Sequence, residues 1–141
     1  MHRLAADHLD LNSEYSYVMF GDYFAETSVV AEANGEVIGF ATGFRAPEDP
    51  ETLFVFQIAT GDAFAGQGIA SEMLDHLVRR ATTPRVRFLE ATVTPDNDAS
   101  TRLFESFASR WDAQLERQEC YGADLFGSGH QPEFRFRIGP F

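Results

Sequence analysis

The sequence predicts an α/β domain built on a mixed sheet, and three observations carry that prediction. Asn34-Gly35 lies between two β-rich runs, 27–33 and 36–45, and Asn-Gly in that setting is a strong short-range hairpin signal. A strand-like run at 52–60, a helical repeat from Ile69 and a second strand at 85–94 follow, an order that makes a parallel pair with a right-handed crossover. The tail then offers two more strands, 115–121 and 134–138, the second alternating Phe134, Phe136 and Ile138 with Arg135 and Arg137.

Taken in order, 2–9 and 12–22 read as short helices. Asn12 and Ser13 are cap candidates for the second, and Tyr15, Val18, Met19 and Asp22 are spaced to share a mostly apolar face. After the hairpin, a polar, proline-containing connection at 46–51 leads into Leu53, Phe54, Val55, Phe56 and Ile58. That nearly continuous apolar run suits a central strand covered on both faces. A glycine-containing loop, 61–68, precedes Ile69, Met73, Leu74, Leu77 and Val78 at helical spacing, and the helix closes on Arg79-Arg80, favourable charges for its C-terminus. A second helix near 97–110 turns Leu103, Phe104, Phe107 and Ala108 inward, and a Gly-rich connection, 122–131, separates the last two strands.

Composition bounds the function. The 141 residues suffice for one domain, 1–141, with its own core. Eleven basic against 22 acidic residues give a formal charge of −11, which argues against a nucleic-acid surface. All eleven bases are arginine, two in residues 1–70 and nine in 71–141, each half holding eleven acids. A lysine-free acidic surface suits a protein kept soluble at high salt; a GC-rich genome writing Arg for Lys accounts for it equally well. No apolar run approaches a membrane span, and Asp7 and Asp10 break any signal-peptide layout, so the expectation is a cytoplasmic protein with no membrane partner. With Cys120 as the one cysteine, neither an intrachain disulfide nor a cysteine-based zinc site can form, and no metal is expected.

The loop Ala65-Gly66-Gln67-Gly68-Ile69-Ala70 sits between a strand and a helix, where unpaired backbone N–H groups and the positive helix end favour an anion. A tight turn using glycine only for geometry explains the same residues. Without lysine a Walker loop is excluded. A dinucleotide loop fails because Ser71 replaces its third glycine and the turn opens well past the strand end, although Glu90 mimics the ribose-binding acid. The residues resemble instead the acyl-CoA loop of the GNAT N-acyltransferases, whose pattern runs Arg or Gln, two residues, Gly, one residue, Gly or Ala. Gly68 and Ala70 match it, and Asn97, Ala99 and Leu103 resemble the superfamily's second motif. Two positions depart from it: Ala65 stands where Arg or Gln is usual, and Phe104 where many members carry the Tyr that protonates the departing thiolate, so the general acid is unassigned.

At finer grain the chain resembles the diaminobutyrate acetyltransferase family across nearly its whole length. The match runs through Asp10-Leu11-Asn12-Ser13, Tyr15-Ser16-Tyr17, 52–57, 88–95, Phe126, Gly129-His130, Glu133 and Arg137-Ile138-Gly139-Pro140. That resemblance implies acetyl transfer from acetyl-CoA to the side-chain (γ) amine of L-2,4-diaminobutyrate, an early step of ectoine synthesis, by a homodimer. Its substrate-contacting residues fall on Asp10, Tyr15, His130 and Glu133, and on Phe56, where relatives usually show Trp. Relatives also carry a longer N-terminal segment with a first strand, so either the start lies upstream of Met1 or one sheet edge is unprotected.

Chemistry read from the residues agrees. A substrate with two amines and a carboxylate needs acids for its ammonium groups and a donor for its carboxylate. Freeing an alkyl amine of pKa about 10.4 at pH 7 costs about 4–5 kcal/mol, so a proton acceptor is required. Glu133 is the first candidate for it, helped by His130, with a loop carboxylate and a surface imidazole as the plain alternative. Glu90 and Thr92, on one strand face, are further substrate candidates, although Glu90 could simply pair with Arg87 or Arg102. Arg45, at a strand end, is a candidate for the substrate carboxylate. The resemblance adds a backbone N–H between Ile58 and Thr60 for the thioester carbonyl, and Gly66, Gly68, Ile69, Ala70 and Asn97 for the coenzyme. Cys120 is expected to pack rather than react. Two other readings stay open: a GNAT enzyme of another small amine or a peptide, and a non-catalytic CoA-binding module.

Overall fold

A computed structural model describes residues 1–6, 12–81, 84–126 and 129–141. The chain divides into two compact units, Met1–Val86 and Arg87–Phe141.

The first unit contains helices α1 (His2–Ala6), α2 (Glu14–Asp22) and α3 (Ile69–Arg80) and strands β1 (Val29–Ala33), β2 (Glu36–Ala46) and β3 (Asp49–Thr60). The three strands form an antiparallel run, β1 with β2 and β2 with β3. Asn34 and Gly35 make the first turn at φ of 53° and 81°, the pair of left-handed residues that a two-residue hairpin demands. The expected polar connection at 46–51 is instead a tight turn: Ala46 already pairs with Asp49, so Pro50 lies within β3. Thr52 Oγ1 bonds Asp49 Oδ2 at 2.6 Å there.

Register positions the site. Thr42 faces Gln57 and Gly43 faces Val55, so Phe56 is the extra residue of a β-bulge. The bulge lets Phe40, Thr42, Phe44, Phe54, Gln57 and Ala59 share one face while Gly39, Ala41, Leu53, Val55 and Ile58 share the other. On the first face Phe40 and Ala59 pack with Ala5 and Tyr17, and the Tyr17 hydroxyl donates to Gln57 at 3.0 Å. On the second lies α3: a methyl placed on Gly39 would meet Met73 at 3.2 Å. The inward side of α3 is Met73, Leu74, Leu77 and Val78, as its periodicity predicts, each contributing about 1.5–3 kcal/mol by burial. The continuous covering expected along 52–60 is interrupted at the bulge, where Phe56 is 42% exposed.

Helix α2 corrects its predicted face. Ser13 caps it, accepting from Ser16 N–H, but the buried residues are Tyr17 and Phe20, whereas Tyr15 is 75% and Val18 67% exposed. The reason is aromatic contact: Tyr17 meets Phe40 edge-on at 5.8 Å and Phe20 stacks on Phe56 at 5.2 Å, contacts that outweigh the simple apolar count on the other side. The strand expected from residue 27 begins at Val29, because Ala25–Thr27 forms a 3-10 turn whose carbonyls at Ala25 and Glu26, with that of Ser28, accept from the Arg80 guanidinium at 2.6–2.9 Å.

The second unit contains β4 (Phe88–Val93), α4 (Asp98–Arg110), β5 (Gln114–Tyr121) and β6 (Glu133–Gly139). β6 lies between β4 and β5, antiparallel to both. Val86, expected inside the strand, precedes it and bonds Ala81 O through its N–H. Phe134, Phe136 and Ile138 point to the α4 side, where Phe136 lies 6.1 Å from the ring of Phe104. Phe104, Phe107 and Ala108 are the buried side of α4, with Leu103 half-buried. β5 also bulges, at Cys120, between Glu119 facing Phe134 and Tyr121 facing Glu133.

Candidate active site

The first unit supplies a backbone site. Between β3 and α3 a 3-10 turn, Asp62–Phe64, leads into Ala65, Gly66, Gln67 and Gly68, all exposed. Gly66 and Gly68 take φ of 74° and 84°, the left-handed region in which a side chain is strained, so glycine is required here for conformation and not for room. Gly68 is the N-cap of α3 and offers no side chain to its first turn, and the first bond back along the helix runs from Glu72 N–H to Gly68 O at 2.9 Å. Such a first turn presents the N–H groups of Ile69 and Ala70 outward to an anion. Gln67 folds back on Ala63 O at 3.0 Å and stays out of the turn's mouth. The arrangement fits a coenzyme pyrophosphate held by main chain, with no contribution from Ala65.

At the end of β3, Gly61 N–H bonds Ile38 O at 2.9 Å, and Phe40 faces Ala59. Alternation then turns the N–H groups of Ile58 and Thr60 away from β2, the direction that a carbonyl-polarising donor needs. Phe56 rests against Phe20, itself 5.3 Å from Phe24. Tyr15 stands on the outer side of α2, and Asp10 lies outside the described residues. Arg45 is drawn across the tight β2–β3 turn: Nη1 donates to Pro50 O of β3 at 2.5 Å, and Nη2, buried and without a hydrogen bond, lies 3.7 Å from Glu26 Oε1, so neither nitrogen is presented to a substrate.

The second unit supplies side chains. His130 Nε2 lies 3.7 Å from Glu133 Oε1, and His130 Nδ1 is 2.6 Å from Gln131 O. A carbonyl can only accept, so Nδ1 carries a hydrogen, and Nε2 is the ring nitrogen that faces the carboxylate. The pair sets an imidazole beside a carboxylate, two group types that can take or pass on a proton. The imidazole is stacked on Phe126 with ring centroids 4.0 Å apart, and Gln131 is anchored through its amide to Asp96 at 2.9 Å. Asp96 also accepts from Thr94, so the turn carrying His130 is tied to the segment that starts α4.

Glu133 shares its strand face with Arg135 and Arg137, and across the ladder with Thr92 and Glu90. Glu90 is 9% exposed and pairs with Arg137 at 2.5 Å; neither Arg87 nor Arg102 is its partner. Arg137 also covers the Phe88 ring at 3.9 Å from the centroid. Asn97 caps α4, its Oδ1 accepting from Ser100 N–H at 3.0 Å, which leaves only its amide nitrogen to serve a coenzyme. Burial pushes the Cys120 thiol above its ordinary range, with Arg135 opposing, and its sulfur donates to Glu133 O at 3.4 Å, so it packs as expected. Phe104 is a core residue and has no acid chemistry.

Thus the structure brings Glu133, His130 and Thr92 to one end of a charged face, with Glu90 further along it, and gathers Gly66, Gly68, Ile69 and Ala70 at one turn. Phe126 and Arg137 enter the sequence reading as part of the resemblance, with no site role, and Asp96 does not enter it. The shared face of Arg137 and Glu90 is visible in their alternation with apolar neighbours, but their pairing needs a register that sequence does not supply. Among the described residues no group of His, Cys, Asp and Glu could hold a metal ion, and no helix is long and apolar enough to cross a membrane.

A loop that offers main-chain donors at a helix start, following a bulged strand, suits the phosphates of an acyl-carrying coenzyme, and comparison gives the class. The chain belongs to the acetyltransferase (GNAT) family, which its residues 2–108 match. It is 46% identical to L-2,4-diaminobutyric acid acetyltransferase of Halalkalibacterium halodurans over 94% of this chain and 70% of that one. It is 45% identical to the enzyme of the same name from Marinococcus halophilus over 94% and 78%. Among solved structures, diaminobutyrate acetyltransferase EctA from Paenibacillus lautus, in complex with its substrate L-2,4-diaminobutyric acid and coenzyme A, superposes with a TM-score of 0.92. That likeness has 44% identity and covers 98% of this chain and 86% of that one. Ard1 from Thermoplasma volcanium, at 15% identity and a TM-score of 0.76 over 99% of this chain and 88% of that one, shares the fold.

Proposed function

We propose that this chain transfers the acetyl group of acetyl-CoA to the side-chain amine of L-2,4-diaminobutyrate, giving the γ-acetylated precursor of ectoine, with residues 1–141 working as one catalytic domain. The observation that carries the reading is the His130–Glu133 pair, 3.7 Å apart. It occurs in a chain 44% identical to a structure solved with diaminobutyric acid and coenzyme A.

In this reading the turn at Gly66, Gly68, Ile69 and Ala70 holds the coenzyme pyrophosphate by main-chain N–H groups, and Asn97 offers its amide nitrogen. Glu133 receives the side-chain ammonium, and its proton passes into the Glu133–His130 pair. The neutral amine then attacks the thioester carbon directly; a C–N bond forms, the carbonyl oxygen gathers charge and is met by N–H donors of Ile58 or Thr60. The C–S bond breaks, and the departing thiolate takes the proton released from nitrogen, so no tyrosine at position 104 is needed. The resemblance assigns Asp10, Tyr15 and Phe56 to the substrate, and Thr92 and Glu90 are further candidates for it. The working form is a homodimer in the cytoplasm, and the lysine-free acidic surface suits high salt.

A second reading is favoured by one residue: Phe56 lacks the indole N–H of the Trp it replaces and so removes one hydrogen bond, which would suit a different small amine. Incubation with acetyl-CoA and a panel of diamines and peptides, read by thiol release, separates the two. The proposal requires diaminobutyrate to have the highest kcat/KM; a higher value for another amine assigns the second reading, and acetyl-CoA binding without thiol release would leave a coenzyme-binding module. Gel filtration with light scattering tests the dimer.

A further inference from the structure

The second unit's charged face contains two arginines in very different surroundings. Arg137 is flanked by acids on both neighbouring strands, Glu90 in β4 and Glu116 in β5, and is held by the first. Arg135, one pleat nearer Glu133 on the same face, is flanked by Thr92 and Gln118, both neutral. Its side chain is exposed, and no carboxylate of the described residues forms an ion pair with it. Cys120, whose sulfur donates to Glu133 O at 3.4 Å, lies opposite the same end of the strand.

Two residues along a strand separate Glu133 from Arg135 by about 6.7 Å. In a four-carbon diamino acid the terminal nitrogen and the carboxylate carbon lie about 5 Å apart along four ~1.5 Å bonds. An acid and a cation rooted at that spacing can bracket such a molecule end to end. Arg137, four residues from Glu133 and already committed to Glu90, cannot do so, and Arg45 is occupied within its own turn.

We propose that Arg135 is the residue that binds the substrate's carboxylate and so selects a diamino acid over a plain diamine. The inference rests on the reading above, in which the substrate is a diamino acid whose side-chain ammonium meets Glu133. Arg135 fixes the far end by charge-assisted bonds from its guanidinium, with Thr92 and Gln118 as neutral neighbours that do not compete for it.

The test compares wild type, Arg135→Gln and Arg135→Lys on diaminobutyrate, with 1,3-diaminopropane, which has no carboxylate, as competitive inhibitor, and with acetyl-CoA affinity by calorimetry as a check on folding. The expected result is that Arg135→Gln raises KM for diaminobutyrate tenfold or more, leaves kcat and acetyl-CoA affinity within twofold and leaves the inhibition constant of diaminopropane unchanged. Arg135→Lys recovers most of the loss, since a point charge remains. An unchanged KM, or equal losses for diaminobutyrate and diaminopropane, overturns the assignment. If Arg135→Gln does not fold, Arg135→Lys and wild type at rising salt decide instead: a KM for diaminobutyrate that is flat with salt and unchanged in Arg135→Lys overturns it. A wild type that does not acetylate diaminobutyrate at all defeats the underlying reading, a result separate from either.

Discussion

From Gly61 to Ala70 the candidate anion site offers main-chain donors and two left-handed glycines, whereas from Glu90 to Arg137 the candidate groups are side chains set in register across three strands. The difference decides how each region tolerates change. A main-chain site accepts any side chain that leaves its dihedrals alone, as Ala65 and Gln67 illustrate, and is damaged through conformation. A side-chain face survives backbone adjustments such as the Cys120 bulge, and is damaged by loss of a single charge.

That contrast can be broken first at the buried pair. Arg137→Met leaves Glu90 without its partner in a nearly closed setting and is expected to destabilise the protein by about 2–3 kcal/mol, below the full buried-pair range because the guanidinium is partly solvated. The double variant Glu90→Leu/Arg137→Met recovers much of it. Denaturant unfolding checks both, and a single variant as stable as wild type would reduce the pair to a surface contact. Next in size, Glu133→Gln is expected to lower turnover on diaminobutyrate tenfold or more, about 1.4 kcal/mol or above, with acetyl-CoA affinity intact. Steady-state kinetics beside calorimetry distinguishes this from a coenzyme defect.

On the main-chain side, Gly68→Val forces a β-branched residue into the left-handed region, costing about 1–2 kcal/mol and weakening acetyl-CoA roughly tenfold while sparing the affinity for diaminobutyrate. Gln67→Ala, which leaves the dihedrals alone, is expected to change neither by more than twofold. Equal effects from the two would mean that side chains, not dihedrals, make the loop. Least of all, Cys120→Ala is expected to keep turnover within twofold. Because burial disfavours the thiolate, thiol alkylation at pH 8 is expected to be slower in folded than in unfolded protein.

These two regions were also unequally legible in sequence. The loop was readable because glycine spacing reports dihedral needs directly, and Gly66 and Gly68 do take positive φ. The hairpin at Asn34-Gly35 and the inward sides of α3 and α4 followed from period and turn chemistry in the same way. Helix α2 did not, since apolar residues occur around its circumference and only tertiary aromatic contacts choose Tyr17 and Phe20 over Tyr15 and Val18. The bulges at Phe56 and Cys120 were invisible, because an extra residue changes register without changing composition. The partner of Glu90 was missed for that reason: Arg137 is 47 residues away and meets it only through the β4–β6 ladder.

The most direct measurement is the identity of the product. Purified chain, acetyl-CoA and L-2,4-diaminobutyrate are incubated, thiol is counted, and the acetylated nitrogen is located by heteronuclear NMR. One thiol per acetyl group, with the acetyl on the side-chain nitrogen, is the expected result. Acetyl on the α-nitrogen, or no thiol above the rate without enzyme, would contradict the account.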